Sequence, residues 1–128
     1  MSNPSNDVAL ALLKKLGKGF NSGNVDMVLD CVTDDFEWVL AEGPDAPHGK
    51  VVRGREGVAT TMTARAKAMP ELRFSETDLI YAGERVVGTY RVTGRYADGR
   101  TIDARGCDLY VIRDGKIARK DSYWKQIG

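Results

Sequence analysis

The stretch RVVGTYRVTGRYADGRTIDARGCDLYVIRDGKIARKDSYW, residues 85–124, decides the fold. It is dense in β-branched and aromatic residues and is cut twice by Asp-Gly, at Asp98-Gly99 and at Asp114-Gly115. Asp and Gly tolerate the positive φ of tight hairpin turns, so each pair joins two antiparallel strands. Just upstream, Ala82-Gly83-Glu84 makes a further turn. The reading is a meander of four strands: Leu72–Ile80, Arg85–Tyr96, Arg100–Arg113 and Lys116–Ile127. Side chains alternate between faces along a strand, which puts Ile102, Ala104, Gly106, Asp108, Tyr110 and Ile112 on one side. Asp108 is the only charged member of that small or apolar row.

The first half has a different period. From Asp7 to Phe20, Val8, Leu12, Leu16 and Phe20 recur four apart, behind a Pro-Ser-Asn-Asp lead-in able to cap a helix. Asn21-Ser22-Gly23-Asn24 interrupts, and Val25, Val28, Leu29 and Val32 resume helical spacing until Thr33-Asp34-Asp35. Phe36–Leu40 reads as a strand and Glu42–Gly49 as a Gly/Pro-rich loop. Arg55 to Ala68, with Val58, Met62, Ala66 and Met69 at helical spacing, is a third helix that Pro70 closes. Helices early and strands late predict an α+β domain spanning residues 1–128, helices packed on one face of a strongly curved antiparallel sheet.

Composition narrows the function. The chain has 128 residues, 42% hydrophobic and 29% charged, enough to bury one core. No apolar run approaches a membrane span, which needs about 18 residues. The leading MSNPSND lacks a basic start followed by an apolar stretch, from which a cytoplasmic setting is expected. Nineteen Lys and Arg against eighteen Asp and Glu are interspersed, a pattern unsuited to nucleic acid, whose phosphates call for concentrated positive charge. Cys31 and Cys107 have no partners at metal-ligand spacing and read as free thiols; one histidine and scattered carboxylates make no metal site. No Gly-rich phosphate loop occurs, so no cofactor is expected.

The order helix, helix, strand, loop, helix and four long strands resembles the NTF2-like (cystatin-like) superfamily, whose members include ketosteroid isomerases, limonene epoxide hydrolases and SnoaL-like polyketide cyclases. The most specific matches are Asn21 to Asp26, Thr33-Asp34-Asp35, Arg105 to Leu109, Arg113 to Ile117 and Lys120 to Lys125. The ending is similar to that of SnoaL-like proteins. The resemblance implies a cone of helices and sheet, open at one end, holding a small, largely apolar or anionic molecule. It also implies a homodimer through the outer sheet face, where Leu109 and Val111 are apolar.

Aligned on its hairpins, the resemblance places Asp108 on the isomerase acid that holds the developing oxyanion. In the isomerases an apolar site keeps that aspartic acid neutral, so that it donates a hydrogen bond to an enolate-like oxygen. The isomerase base falls on Leu40 and its tyrosine on Leu16, so the full isomerase set is missing. Of the epoxide hydrolase set, Arg91 matches the arginine, while Thr93 and Ser122 stand where carboxylates would be; Asp121 would join them if a one-residue bulge turned it inward. Cyclases of the SnoaL type need one placed acid/base, a role open to Asp108 or Asp121. The expected substrate contacts are Arg91, Lys120 and Ser122, the aromatic walls Trp38 and Trp124, and His48 in a loop at the cone mouth. Each has a plainer alternative: a salt bridge for Asp108 or Asp121, solvated ends for Arg91 and Lys120, core for the tryptophans, open surface for His48. Three functions stay open: a cofactor-independent isomerase or cyclase working beside a carbonyl, an epoxide hydrolase, and a non-catalytic ligand-binding or assembly module.

Overall fold

A computed structural model describes residues 5–127. Pro4, the first residue of the expected helix lead-in, lies outside them. Helix α1 spans Asn6–Ser22; the side chain of Ser5 accepts from Val8 N–H at 3.2 Å, and Gly23, at φ 68°, ends the helix. Ala9, Leu13, Leu16 and Gly19 are its buried residues, whereas Val8 is half exposed. The buried stripe is therefore rotated from the expected Val8-Leu12-Leu16-Phe20 line. Close packing explains the rotation: a Cβ on Gly19 would stand 2.8 Å from Val28 Cγ2 on the short helix α2, Val25–Leu29.

Strand β1, Val32–Asp45, starts earlier and ends later than the expected Phe36–Leu40. Val32 is thus strand, not helix. The Gly/Pro-rich segment is not one loop: it carries the end of β1 and a turn into β2, Gly49–Arg53, which pairs antiparallel with β1. Val51 and Val52 are a strand signal too short to separate from the loop around it. Helix α3, Gly54–Ala68, buries Val58 and Met62. The meander follows as β3 Arg73–Ala82, β4 Arg85–Arg95, β5 Thr101–Arg113 and β6 Lys116–Trp124. At its last turn Asp114 and Gly115 both take positive φ, 52° and 74°, as the Asp-Gly pair demands.

The six strands form one curled, mostly antiparallel sheet in the order β2-β1-β6-β5-β4-β3, with β1 and β6 parallel. Its concave face meets α1 and α3. Phe36, Trp38, Val86, Ile112 and Ile117 from the sheet pack there against Leu13, Leu16, Val58 and Met62. Bulges bend the strands. Glu76 has φ 54° where the β3–β4 register shifts, and the β5–β6 register passes from Val111↔Arg119 to Ile112↔Ile117, leaving Ala118 unpaired with β5.

One side chain ties α1 to the far edge of the sheet. Asn21 donates from Nδ2 to Phe74 O at 3.2 Å and accepts from Phe74 N–H at 3.0 Å. Asn21→Ala removes both bonds and leaves two backbone groups of β3 short of partners. A loss of about 1–3 kcal/mol is expected in denaturant unfolding. Among the described residues no helix is long and apolar enough to cross a membrane, and Cys31 and Cys107 are free.

Candidate functional site

A cavity of about 540 Å³ lies between α1 and the β3–β4–β5 part of the sheet. Leu13, Leu16, Phe20, Phe74, Leu79 and Tyr81 supply apolar wall, and Lys14, Lys18 and Asp78 are exposed charges along its border. Its polar end is made by Asp108, Tyr90, Tyr110 and Lys120, all buried. Strand alternation puts them there: Tyr90 from β4, Asp108 and Tyr110 from β5, and Lys120 from β6, all directed to the concave side.

Every polar neighbour of Asp108 faces it with a proton. Tyr90 OH donates to Oδ1 at 2.7 Å and Tyr110 OH to Oδ2 at 2.9 Å; Lys120 Nζ stands 3.4 Å from Oδ2. Trp124 Nε1 donates to Tyr90 OH at 2.9 Å. An indole N–H can only donate, so the Tyr90 proton is committed to Asp108. Two glycines admit these rings. A Cβ on Gly106 would lie 2.8 Å from Trp124 Cδ1 and 3.0 Å from Tyr90 Cε1, and one on Gly88 would lie 3.3 Å from Tyr110 Cε2. Lys120 also donates to Ser122 Oγ at 3.1 Å and sits 4.9 Å from the Phe20 ring centroid and 5.5 Å from that of Trp38.

Burial, and then the charge of Asp108, holds the phenols of Tyr90 and Tyr110 well above the usual range. Burial pushes Lys120 down; Asp108 opposes that shift, and Arg65 adds to it. The tyrosines therefore stay donors while the lysine becomes easier to deprotonate. The stability consequence has a definite sign. A folded-state pKa above the unfolded value of about 10 favours the neutral phenol, so the contribution is intact below about pH 10 and is lost as pH rises beyond it. Two of the five tyrosines are expected to ionise only as the protein unfolds at alkaline pH. Phenolate absorbance reaching its full five-residue value while the fold persists contradicts this assignment.

The other expected site residues divide sharply. Ser122 faces inward and is buried behind Lys120. Trp38 is fully buried core and does not line the cavity; Trp124 is half-buried and reaches the cavity group only through Tyr90. Arg91, expected inside the cone, points instead to the convex side, exposed, where it pairs with Asp103 at 2.6 Å and Glu76 at 3.6 Å. Asp121 does not turn inward either. The β6 bulge falls at Ala118, upstream of it, and sends Lys120 and Ser122 inward; Asp121 lies on the outer face opposite Leu109, accepting from Tyr123 OH at 3.1 Å. His48 is exposed in the β1–β2 turn and borders neither this cavity nor the smaller one beside it. Among the described residues no three His, Cys, Asp or Glu gather as a metal site.

Sequence reasoning misses Tyr90 and Tyr110 as site residues, although their parity is available: Val86, Gly88, Tyr90 and Val92 alternate as Asp108 and Tyr110 do. Nothing local marks Asn21 or Arg65, whose partners lie far along the chain.

The sequence matches the SnoaL-like domain over residues 14–120. No functionally curated protein matches it. Among solved structures, a proposed polyketide cyclase from Xanthomonas campestris pv. campestris is 25% identical, with TM-score 0.80 over 93% of this chain and 91% of that one. An NTF2-like protein from Burkholderia xenovorans LB400 is 21% identical, with TM-score 0.81 over 94% and 92%. TerC, co-crystallised with polyporic acid, is 19% identical, with TM-score 0.79 over 92% of each chain.

Proposed function

Since this chain belongs to the SnoaL-like family, we propose that it is a cofactor-independent cyclase or isomerase that moves a proton at a carbon next to a carbonyl. One observation carries the reading: a lone carboxylate, surrounded by three proton donors, stands at the polar end of a largely apolar cavity. Asp108 takes the α-proton of the bound substrate. The electron pair of the broken C–H bond moves onto the carbonyl oxygen; with Asp108 neutralised by the proton it has taken, the O–H groups of Tyr90 and Tyr110 turn from it and, together with the Lys120 ammonium, stabilise the resulting enolate. The enolate carbon then attacks a second carbonyl of the same molecule, closing a ring whose new alkoxide takes the proton from Asp108; in a β,γ-unsaturated ketone the dienolate instead takes that proton back from Asp108 at its γ-carbon, moving the double bond into conjugation. Raised phenol pKa values suit the tyrosines to donate without ionising.

TerC, crystallised with polyporic acid, supports a small organic molecule as the substrate class. Epoxide hydrolysis loses its residues, because Arg91 and Asp121 both lie outside the cavity. The test is α-proton exchange: a cyclic 1,4-diketone, whose isolated carbonyls exchange slowly in neutral buffer, is incubated with the protein in D2O, with deuterium incorporation followed by NMR. Exchange faster than buffer alone, saturating with diketone, is the expected result. Saturable binding of the diketone without faster exchange would instead favour a ligand-binding module.

A further inference from the structure

Arg65 is a half-buried cation that, among the described residues, has no ion-pair partner. It projects from α3 into the concave side, where its guanidinium carbon lies 5.3 Å from the Trp38 ring centroid, 5.3 Å from that of Trp124 and 5.9 Å from that of Phe74. The two carboxylates whose charge acts on it are engaged elsewhere: Asp108 by two tyrosines and Lys120, and Glu42 by Tyr96 OH at 2.9 Å. Charges drawn out of water are ordinarily paired, and aromatic faces offset only part of the lost hydration.

Arg65 also lines a second cavity, of about 230 Å³, between the end of α1, α3 and the start of β3. Met62, Met69, Leu72, Phe20 and Phe74 give it apolar walls, Arg73 is its other charged group, and neither Asp nor Glu lines it. Two arginines, no acid and apolar sides are the surroundings that favour a small anion attached to a hydrophobic body. Between anions, the guanidinium fork fits a carboxylate through two parallel N–H···O bonds. The aromatic rings would lie along a flat ligand.

We propose that the second cavity is a carboxylate subsite, with Arg65 as the main partner of a small aromatic acid and Arg73 at its border. It shares Phe20, Asn21 and Phe74 as a common wall with the larger cavity. Its use as an anchor for a substrate whose carbonyl lies near Asp108 rests on the proton-transfer reading; the binding itself does not.

The protein reports on this site by itself, because both of its tryptophans, Trp38 and Trp124, lie against Arg65. The full chain is titrated with benzoate, benzamide and inorganic phosphate while tryptophan fluorescence is followed. The expected result is saturable binding of benzoate, with benzamide weaker by about tenfold or more and phosphate weaker than benzoate. Arg65→Gln is expected to weaken benzoate by a similar factor. Arg65→Lys, which keeps the charge and loses the fork, is expected to fall between, and it serves if the glutamine variant fails to fold. Equal binding of benzoate and benzamide, preference for phosphate, unchanged benzoate affinity in both Arg65 variants, or no saturable binding at all overturns the proposal. Benzoate binding that depends on Arg65 in a protein without diketone exchange leaves the subsite standing and removes the proton-transfer reading. Exchange without benzoate binding does the reverse.

Discussion

Asp108→Asn is expected to slow diketone exchange by about 10²–10⁴-fold, the usual contribution of a positioned acid/base group. The amide retains the shape of the carboxylate and can still accept from one tyrosine, but it does not take up the α-proton. The substitution also has a structural effect, because Asp108 and Lys120 are an ion pair whose side chains are each only 6% exposed. Removing one partner leaves a buried ammonium without its counter-charge, at a cost of roughly 3–5 kcal/mol. A drop in rate alone could therefore reflect a damaged fold. Adding Lys120→Met separates the two effects: the double variant carries no unpaired ammonium beside residue 108 and should recover much of the lost stability, while exchange stays at or below the level of Asp108→Asn. If the double variant regains both stability and exchange, Asp108 is a structural partner of Lys120 and not the base.

Trp38→Ala should cost about 3–5 kcal/mol of stability, with a fall of roughly 10–15 °C in the thermal midpoint. Trp38 is completely buried at the β1–β6 junction, where it pairs across the sheet with Lys120 and packs 5.1 Å from the Phe20 ring. Truncation opens a cavity and also strips aromatic faces from Lys120 and Arg65. Trp38→Phe makes the contrast. The indole Nε1 is buried with no hydrogen-bond partner, so phenylalanine gives up some packing but relieves an N–H whose isolation costs about 1–3 kcal/mol. Its net effect should be under about 2 kcal/mol. Calorimetry showing equal losses for both substitutions would mean that lost ring volume does not set the cost at this position.

Much of the architecture is legible in the chain alone. The Asp-Gly pairs announce their hairpins because turn preference is local: at Asp114-Gly115 both residues take positive φ, and at Asp98-Gly99 the glycine alone does, within a longer connection. Alternation along β5 places Asp108 inside because it, too, is a property of a single strand. The boundaries of β1 and the existence of β2 are harder: Gly43, Pro44, Pro47 and Gly49 are loop formers, and pairing with a neighbouring strand overrides that preference.

By itself, then, the sequence determined the α+β order, the two Asp-Gly turns and the inward direction of Asp108, each dictated by interactions among residues close along the chain. Only the tertiary structure decided what surrounds that carboxylate. Whether Lys120 or Asp121 turns inward depends on a bulge at Ala118, which cross-strand register sets and local parity does not. Arg91 had a cavity in its expected surroundings and found Asp103 across the β4–β5 ladder on the other face. The donors to Asp108 come from three strands, and the rings around Arg65 from β1, β3 and β6. Those neighbours meet only when the sheet curls around the helices, so the chemistry of both cavities is a property of the closed fold.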